Sequence, residues 1–214
     1  LPLTVASYSI PPGAVIAPLP KDNSVASAVT SLKDNTVNTP LPEGTTLPSN
    51  ALEELLEFGR AAFSFVRLRP EFFAFWWPRF ERSAAYFIER EMKTRPYHAS
   101  SHTEVSGSTT MDLPIGEFTL TAKADRINLR RDGTIDIIDY KTGTPSTPQQ
   151  ILTGTKPQLL LEAVIALHGS YKDINTRQLN SLVSLRLNGG FPAGQYQSIE
   201  EGIASRATQF LSKL

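Results

Sequence analysis

Hydrophobic positions change period twice along the chain. In "SNALEELLEFGRAAFSFV", residues Leu52, Leu55, Leu56, Gly59, Phe63 and Val66 recur at three- and four-residue intervals and fall on one helical face. Asn50 is placed to cap that helix, with Glu53 to reach back to it. A second helical segment, "PEFFAFWWPRFERSAAYFIEREM", carries Pro70 and Pro78. Proline lacks a backbone donor and clashes in a helix interior, so the pattern predicts a break before Pro78 and a fresh start there.

The period then drops to two. "HTEVSGSTTMDL", "EFTLTAKADRINLR" and, after the turn "RDG", "TIDIIDYK" predict three strands, while "RPYHASSHTE" reads as a loop whose His98 and His102 are solvated. "KPQLLLEAVIALHG" predicts a helix from Pro157 to Gly169, with His168 as a charge partner at its C-terminal end. "QLNSLVSLRLN" predicts a strand, and Ser198 with Glu201 a capping box for a last helix through Phe210. Helix, helix, three strands, helix, strand, helix is a mixed α/β domain with an antiparallel meander at its centre.

Composition adds boundaries and exclusions. Residues 1–48 hold 8 of the 16 prolines and one aromatic, Tyr8, so they read as an extended arm or linker preceding a domain at 49–214. The first residues lack the basic and apolar regions of a signal peptide, and the absence of an initiator methionine suggests a domain of a longer polypeptide. No run is long and apolar enough for a membrane span, so no membrane partner is expected. Lys+Arg and Asp+Glu are equal at 21 each, which leaves only a local nucleic-acid contact possible. The absence of cysteine excludes disulfides, thiolate zinc and a cysteine-ligated iron–sulfur cluster, and fits a reducing compartment.

The chemistry gathers where the second and third strands meet. With a three-residue loop Arg131-Asp132-Gly133, Arg130 pairs with Thr134, and counting back places Asp125 opposite Asp139. Asp139 and Lys141, two apart, share one strand face. Two close carboxylates repel unless a cation lies between them, and oxygen ligands suit Mg²⁺ or Mn²⁺. A neighbouring lysine can stabilise charge on a phosphate or orient an attacking water. A lone D-x-K is more often a surface ion pair, and only its context changes the reading.

That context, "TAKADRINLRRDGTIDIIDYKTG" followed by "PQLLLEA", resembles the PD-(D/E)xK nuclease superfamily in its RecB-like branch. The resemblance implies a restriction-endonuclease-like αβββαβ core with a mixed sheet flanked by helices. It also implies metal-dependent phosphodiester hydrolysis. "FWWPRFERSAAYFIERE", "TEVSGS", "IIDYKTGTPS" and "LRLNGG" narrow it to the C-terminal nuclease domains of AddB-type helicase–nuclease subunits over about residues 50–190. By that resemblance Asp125 and Asp139 hold Mg²⁺, with Mn²⁺ as substitute, and the backbone carbonyl of Ile138 or Tyr140 and water complete the set. Lys141 is the catalytic lysine, Gln158 orders the site or contacts DNA, and the Tyr140 side chain packs on the other face. The partners implied are DNA ends or single strands and an AddA-like helicase–nuclease subunit. The setting implied is double-strand-break recombination repair in the bacterial cytoplasm, at the nucleoid.

The sequence departs from the family pattern at three points. Phe63 stands where relatives place a metal-binding histidine four residues after the helical glycine, here Gly59. Glu162 replaces the tyrosine of Q-x-x-x-Y and is either a further carboxylate or a helix-surface charge; Asn128 replaces the second aspartate of D-R-I-D. Glu104 is either a third carboxylate at the site or a solvated strand residue. These departures keep a second reading open, a nuclease fold that no longer cuts and instead guides DNA or docks a helicase partner through Trp76 and Trp77. Residues 60–95 carry eight Lys/Arg, four Glu and ten aromatics; the aromatics are read as packing on the sheet, and Arg60, Arg67 and Arg69 stay open between DNA contact and solvent.

Overall fold

The computed structural model describes residues 46–63, 70–113 and 116–211; the expected arm at 1–48 lies almost wholly outside them, as do Val66, Arg67 and Arg69. The elements are α1 (Ala51–Ala62), α2 (Pro70–Thr94), a 3₁₀ turn (Arg95–Tyr97), β1 (His98–Leu113), β2 (Gly116–Arg130) and β3 (Ile135–Lys141). They continue with α3 (Pro148–Leu152), α4 (Gln158–Leu167), β4 (Leu179–Leu187), β5 (Gly194–Ile199) and α5 (Ile203–Leu211). One five-stranded sheet has the order β1-β2-β3-β4-β5. The β3–β4 pair is parallel and the others antiparallel. This is the expected mixed α/β fold, with helices on both faces of the sheet.

Strand alternation sorts β3 between two cores. Ile135 and Ile137 pack with Leu160, Val164 and Ile165 of α4, whereas Ile138 and Tyr140 pack with Phe80, Ala84 and Phe87 of α2. Every residue of β3 from Ile135 to Tyr140 is buried, as a central strand covered on both sides requires. The parallel step from β3 to β4 needs a crossover, and α3 and α4 supply it.

Several elements differ from the sequence expectation. Helix α2 runs unbroken through Pro78. Side chains bridge the missing backbone bond: Phe73 stacks on Trp77 at 5.4 Å, and Trp77 Nε1 donates to Glu81 Oε1 at 2.7 Å. Asn50 is the N-cap residue of α1, but its side chain does not cap; it donates to Glu54 Oε1 at 3.0 Å. Ser198 lies in β5, a strand the sequence did not announce, so the expected Ser198–Glu201 box does not form. A capping box appears instead at Thr147 and Gln150 on α3, also unforeseen. His98 and His102 are buried on β1 rather than solvated in a loop.

Gly59 has a steric reason. A Cβ there would overlap the buried Phe80 ring, which packs with Phe63 at 5.7 Å. Gly59→Ala should therefore destabilise the domain by about 1–3 kcal/mol despite alanine's better helix propensity. A urea midpoint at or above that of wild type would refute this account of the α1–α2 contact.

Candidate active site at the fork of the β2–β3 hairpin

The hairpin closes as its sequence requires. Gly133 has φ 84°, Gly133 N donates to Arg130 O at 3.0 Å, and Arg130 N donates to Thr134 O at 2.8 Å. The register follows, with Leu129 opposite Ile135 and Arg126 opposite Ile138, which places Asp125 next, across from Asp139. There the ladder stops, and β2 runs on paired with β1 alone. Asp125 Oδ2 accepts a bond from Tyr140 N at 2.9 Å, a side-chain tie at the point where the strands part.

A polar chain leads from this fork to α4. Lys141 Nζ lies 2.7 Å from Asp139 Oδ1 and donates to Gln158 Oε1 at 3.0 Å. Gln158 Nε2 donates in turn to Glu162 Oε1 at 3.2 Å. Gln158 is the first residue of α4, and Glu162 lies one turn further along. Glu162 is 2% exposed, so it is no helix-surface charge, and its Oε2 is buried without a hydrogen-bond partner. A single glutamate inside the otherwise apolar "LLLEAVIAL" was the signal, since a helix buried all round leaves no solvent face for it.

Burial, with neighbouring negative charge, raises all three carboxyls. Burial lifts Asp139 to about 6 against its pairing with Lys141, with the Asp125 charge adding to the rise. Burial lifts Glu162 to about 8 against the Gln158 hydrogen bond, with Asp139 and Asp125 adding. Asp125 is raised by burial, opposed by the Tyr140 amide and reinforced by Glu104. A cation among these groups would reverse each penalty. Among the described residues no three His, Asp or Glu side chains are gathered closely enough to enclose a metal ion. Asp125 and Asp139 face each other across the fork, and a pair of carboxylates is chemistry that suits a hard divalent ion that keeps several waters.

The pH consequence has a definite sign. Groups whose folded pKa lies above the unfolded value stabilise fully below the unfolded pKa, and that contribution is lost as pH rises through the folded value. Metal-free protein should therefore lose thermal stability as pH climbs from the carboxylate range through about 6 and about 8. Glu162→Gln should flatten the upper part of this fall, seen as melting temperature against pH in EDTA. An unchanged profile would mean that Glu162 is not held uncharged by its burial.

The remaining candidates separate clearly. Glu104 lies across from Asp125, has the left-handed φ of 55° and pairs with Lys123 Nζ at 2.7 Å. Its carboxylate is exposed, yet it acts electrostatically on Asp125. The Tyr140 side chain points to the α2 face, where its hydroxyl accepts from Arg126 Nη1 at 3.3 Å. Asn128 is buried on that same side, bonded to Ser101 and Arg126 and away from the fork. Phe63 meets Trp77 edge-on at 6.1 Å, so its position is filled by core aromatics. Trp77 packs against that cluster and, like Trp76, is half-buried. Arg60 lies over the Trp77 ring at 5.2 Å. His168 contacts Val164 O through Nδ1 at 2.8 Å, at the end of α4.

A sequence profile of the PD-(D/E)XK nuclease superfamily matches residues 30–203. An uncharacterized protein of Rickettsia bellii (strain RML369-C) is 31% identical over 85 residues, 40% of this chain and 10% of that protein. An uncharacterized protein of Rickettsia conorii is 29% identical over 93 residues, 44% of this chain and 11% of the relative. The chain spans only about a tenth of the length of the curated relatives it matches. Among solved structures, the crystal structure of SSO0001 aligns at TM-score 0.35 and 13% identity over 86% of this chain and 80% of that one. No helix among the described residues is long and apolar enough to cross a membrane.

Proposed function

Because this chain belongs to the PD-(D/E)XK nuclease superfamily, we propose that it is a metal-dependent deoxyribonuclease that hydrolyses phosphodiesters at DNA ends or in single strands. The observation that carries this reading is the grouping of Asp125, Asp139 and Lys141 at the hairpin fork, with Gln158 holding Lys141 from α4. Asp125 and Asp139, with the Tyr140 carbonyl, would hold Mg²⁺ or Mn²⁺. Such an ion, when bound, supplies Lewis acidity toward a phosphate oxygen and lowers the pKa of water. Lys141 is paired with Asp139 and aimed by the Gln158 carbonyl, so its ammonium can stabilise charge growing on the phosphate. Glu104 acts on Asp125 through its field alone and stays outside the donor set.

The wider setting we propose is an AddB-type subunit that processes double-strand DNA ends for recombination together with an AddA-like helicase partner in the bacterial cytoplasm. The D-R-I and D-Y-K-T-G motifs support it, as does the length of the relatives, which leaves room for helicase parts beside a domain of this size. The test is cleavage of a fluorescent single-stranded oligonucleotide in Mg²⁺, Mn²⁺, Ca²⁺ and EDTA. Cleavage in Mg²⁺ or Mn²⁺ and none in EDTA is the expected result; cleavage that persists in EDTA would overturn the metal-dependent reading.

A further inference from the structure

A groove that no motif foretold lies on the β1–β2 ribbon, reaching to within two residues of Asp125 along β2. It has a volume of about 740 Å³ and lies between the β1–β2 ribbon and the segment after α4. Its polar lining is Ser106, Ser108, Thr121, Lys123, Ser170 and Lys172. The lining contains two ammonium groups, five hydroxyls counting Tyr171, and no carboxylate of its own, although Lys123 is paired with Glu104 beyond it, in a chain whose total charge is balanced.

The groove is built rather than incidental. Gly107 bridges to Tyr171, Lys172 N donates to Ser106 O at 3.2 Å, and Ser108 N donates to Ser170 O at 3.2 Å. These bonds fix residues 170–172 against the β1 edge through a single antiparallel bridge. A Cβ at Gly107 would lie 2.6 Å from both Ile165 Cγ2 and Tyr171 Cδ1, so only glycine permits this approach.

The groove adjoins the candidate site through Lys123, whose charge acts on Asp125. Ser106 pairs with Lys123 and Ser108 with Thr121, so their side chains share one exposed ribbon face. Lys123 lies two residues from Asp125 on the same strand and is tied to Glu104 opposite it. Tyr171 lines the groove wall and lies in the field of Glu162. Among the described residues, Lys172 makes no ion pair.

We propose that this groove takes the sugar–phosphate backbone of the substrate strand next to the phosphodiester being cut, with Lys172 and Lys123 on successive phosphates and the hydroxyls donating to their oxygens. The inference rests on the nuclease reading above. Hydroxyls and lysines donate to phosphate oxygens, whereas a carboxylate could only accept and would repel them. Contacts of this kind position a strand without reading its sequence, as a nuclease acting on arbitrary DNA requires.

The experiment measures binding of a fluorescent oligothymidylate of about 20 nucleotides in Ca²⁺ across a salt series, and its cleavage in Mg²⁺, for wild type, Lys172→Gln and Lys172→Glu. Lys93→Gln, on the exposed face of α2, serves as control. Lys172→Gln should reduce the slope of log affinity against log salt by about 0.7, the loss of one single-strand phosphate contact. Lys172→Glu should raise KM on the order of tenfold with kcat little changed. Lys172 variants that match wild type in slope and KM, while wild type cuts, would overturn the groove and leave the nuclease reading intact. A wild type that binds the strand through Lys172 but never cuts would overturn the nuclease reading and leave the groove. If inorganic phosphate alone binds wild type but not Lys172→Glu, and KM for the strand is unaffected, the site takes free phosphate and the strand proposal fails.

Discussion

Asp139→Ala and Lys141→Ala should each lower cleavage of a single-stranded oligonucleotide by a factor of about 10²–10³ or more, for separable reasons. Asp139→Ala removes one of two carboxylates available to a divalent ion and also frees Lys141 from its 2.7 Å partner. It should therefore weaken Mn²⁺ binding as well as catalysis. Lys141→Ala leaves both carboxylates in place, so Mn²⁺ binding should persist while turnover collapses. Unfolding would not imitate this pattern. Asp139 is a buried group held at about 6, and its removal relieves repulsion from Asp125. Metal-free Asp139→Ala should melt no lower than wild type at neutral pH. Lys141→Ala leaves Asp139 without its cation and should melt modestly lower. Paramagnetic Mn²⁺ titration beside the cleavage assay separates the two losses. Wild-type rates in both variants would remove the fork from the chemistry.

The fork was legible because its geometry depends on counting. A three-residue loop with glycine in the left-handed position fixes one register, and that register alone puts Asp125 across from Asp139. The crossover helix was legible for a similar reason. Proline before Gln158 and a left-handed Gly169 bound an apolar run of the right length. Periodicity left Glu162 open, because a helix apolar on every side has no polar stripe for comparison; only the isolation of that one glutamate pointed inward. The sheet settled it by covering α4 from below.

The misreadings share a cause in long-range contact. Pro78 reads as a breaker when the helix stands alone, but the Phe73–Trp77 stack and the packing of Phe80 onto α1 hold the turns on either side. "HASSH" looks like loop because small polar residues seldom fill a core. Here they do so because the opposing groups are also polar: Glu91 from α2 and Arg126 and Asn128 from β2. The β5 strand "GQYQSI" carries few apolar residues, and it pairs with β4 as an edge whose polar side chains are mostly half-buried. The groove was invisible because its two walls come from segments some fifty residues apart.

The largest effect on stability should come from Arg126, the arginine of the D-R-I motif, which sits between α2 and the sheet. It is fully buried, donates to Glu91 Oε1 at 2.9 Å and Oε2 at 3.2 Å, and also bonds Ser101 and Asn128. Removing one member of such a pair leaves a buried charge uncompensated, which costs about 3–5 kcal/mol. Arg126→Ala should therefore unfold well below wild type, and Glu91→Leu alone should do so too. The double replacement Arg126→Met with Glu91→Leu should recover much of the loss, because apolar groups of similar volume need no partner. Acid then distinguishes the pair from simple packing. Burial alone would raise Glu91, but the charge and hydrogen bonds of Arg126, aided by His98 and Arg95, hold it below the usual carboxylate range. A depressed carboxyl stabilises above its unfolded pKa, and that contribution is lost as pH falls through the folded value. Wild type should thus lose stability below the normal glutamate range, while the double variant should lose less there. Asp136 contributes in the same direction in both proteins, since His98, Asn180 and Ser181 hold it low against its burial. Denaturant midpoints measured across that acid window would decide the matter. If the two proteins fall in parallel, the pair is a packing element whose charges add nothing to the pH response.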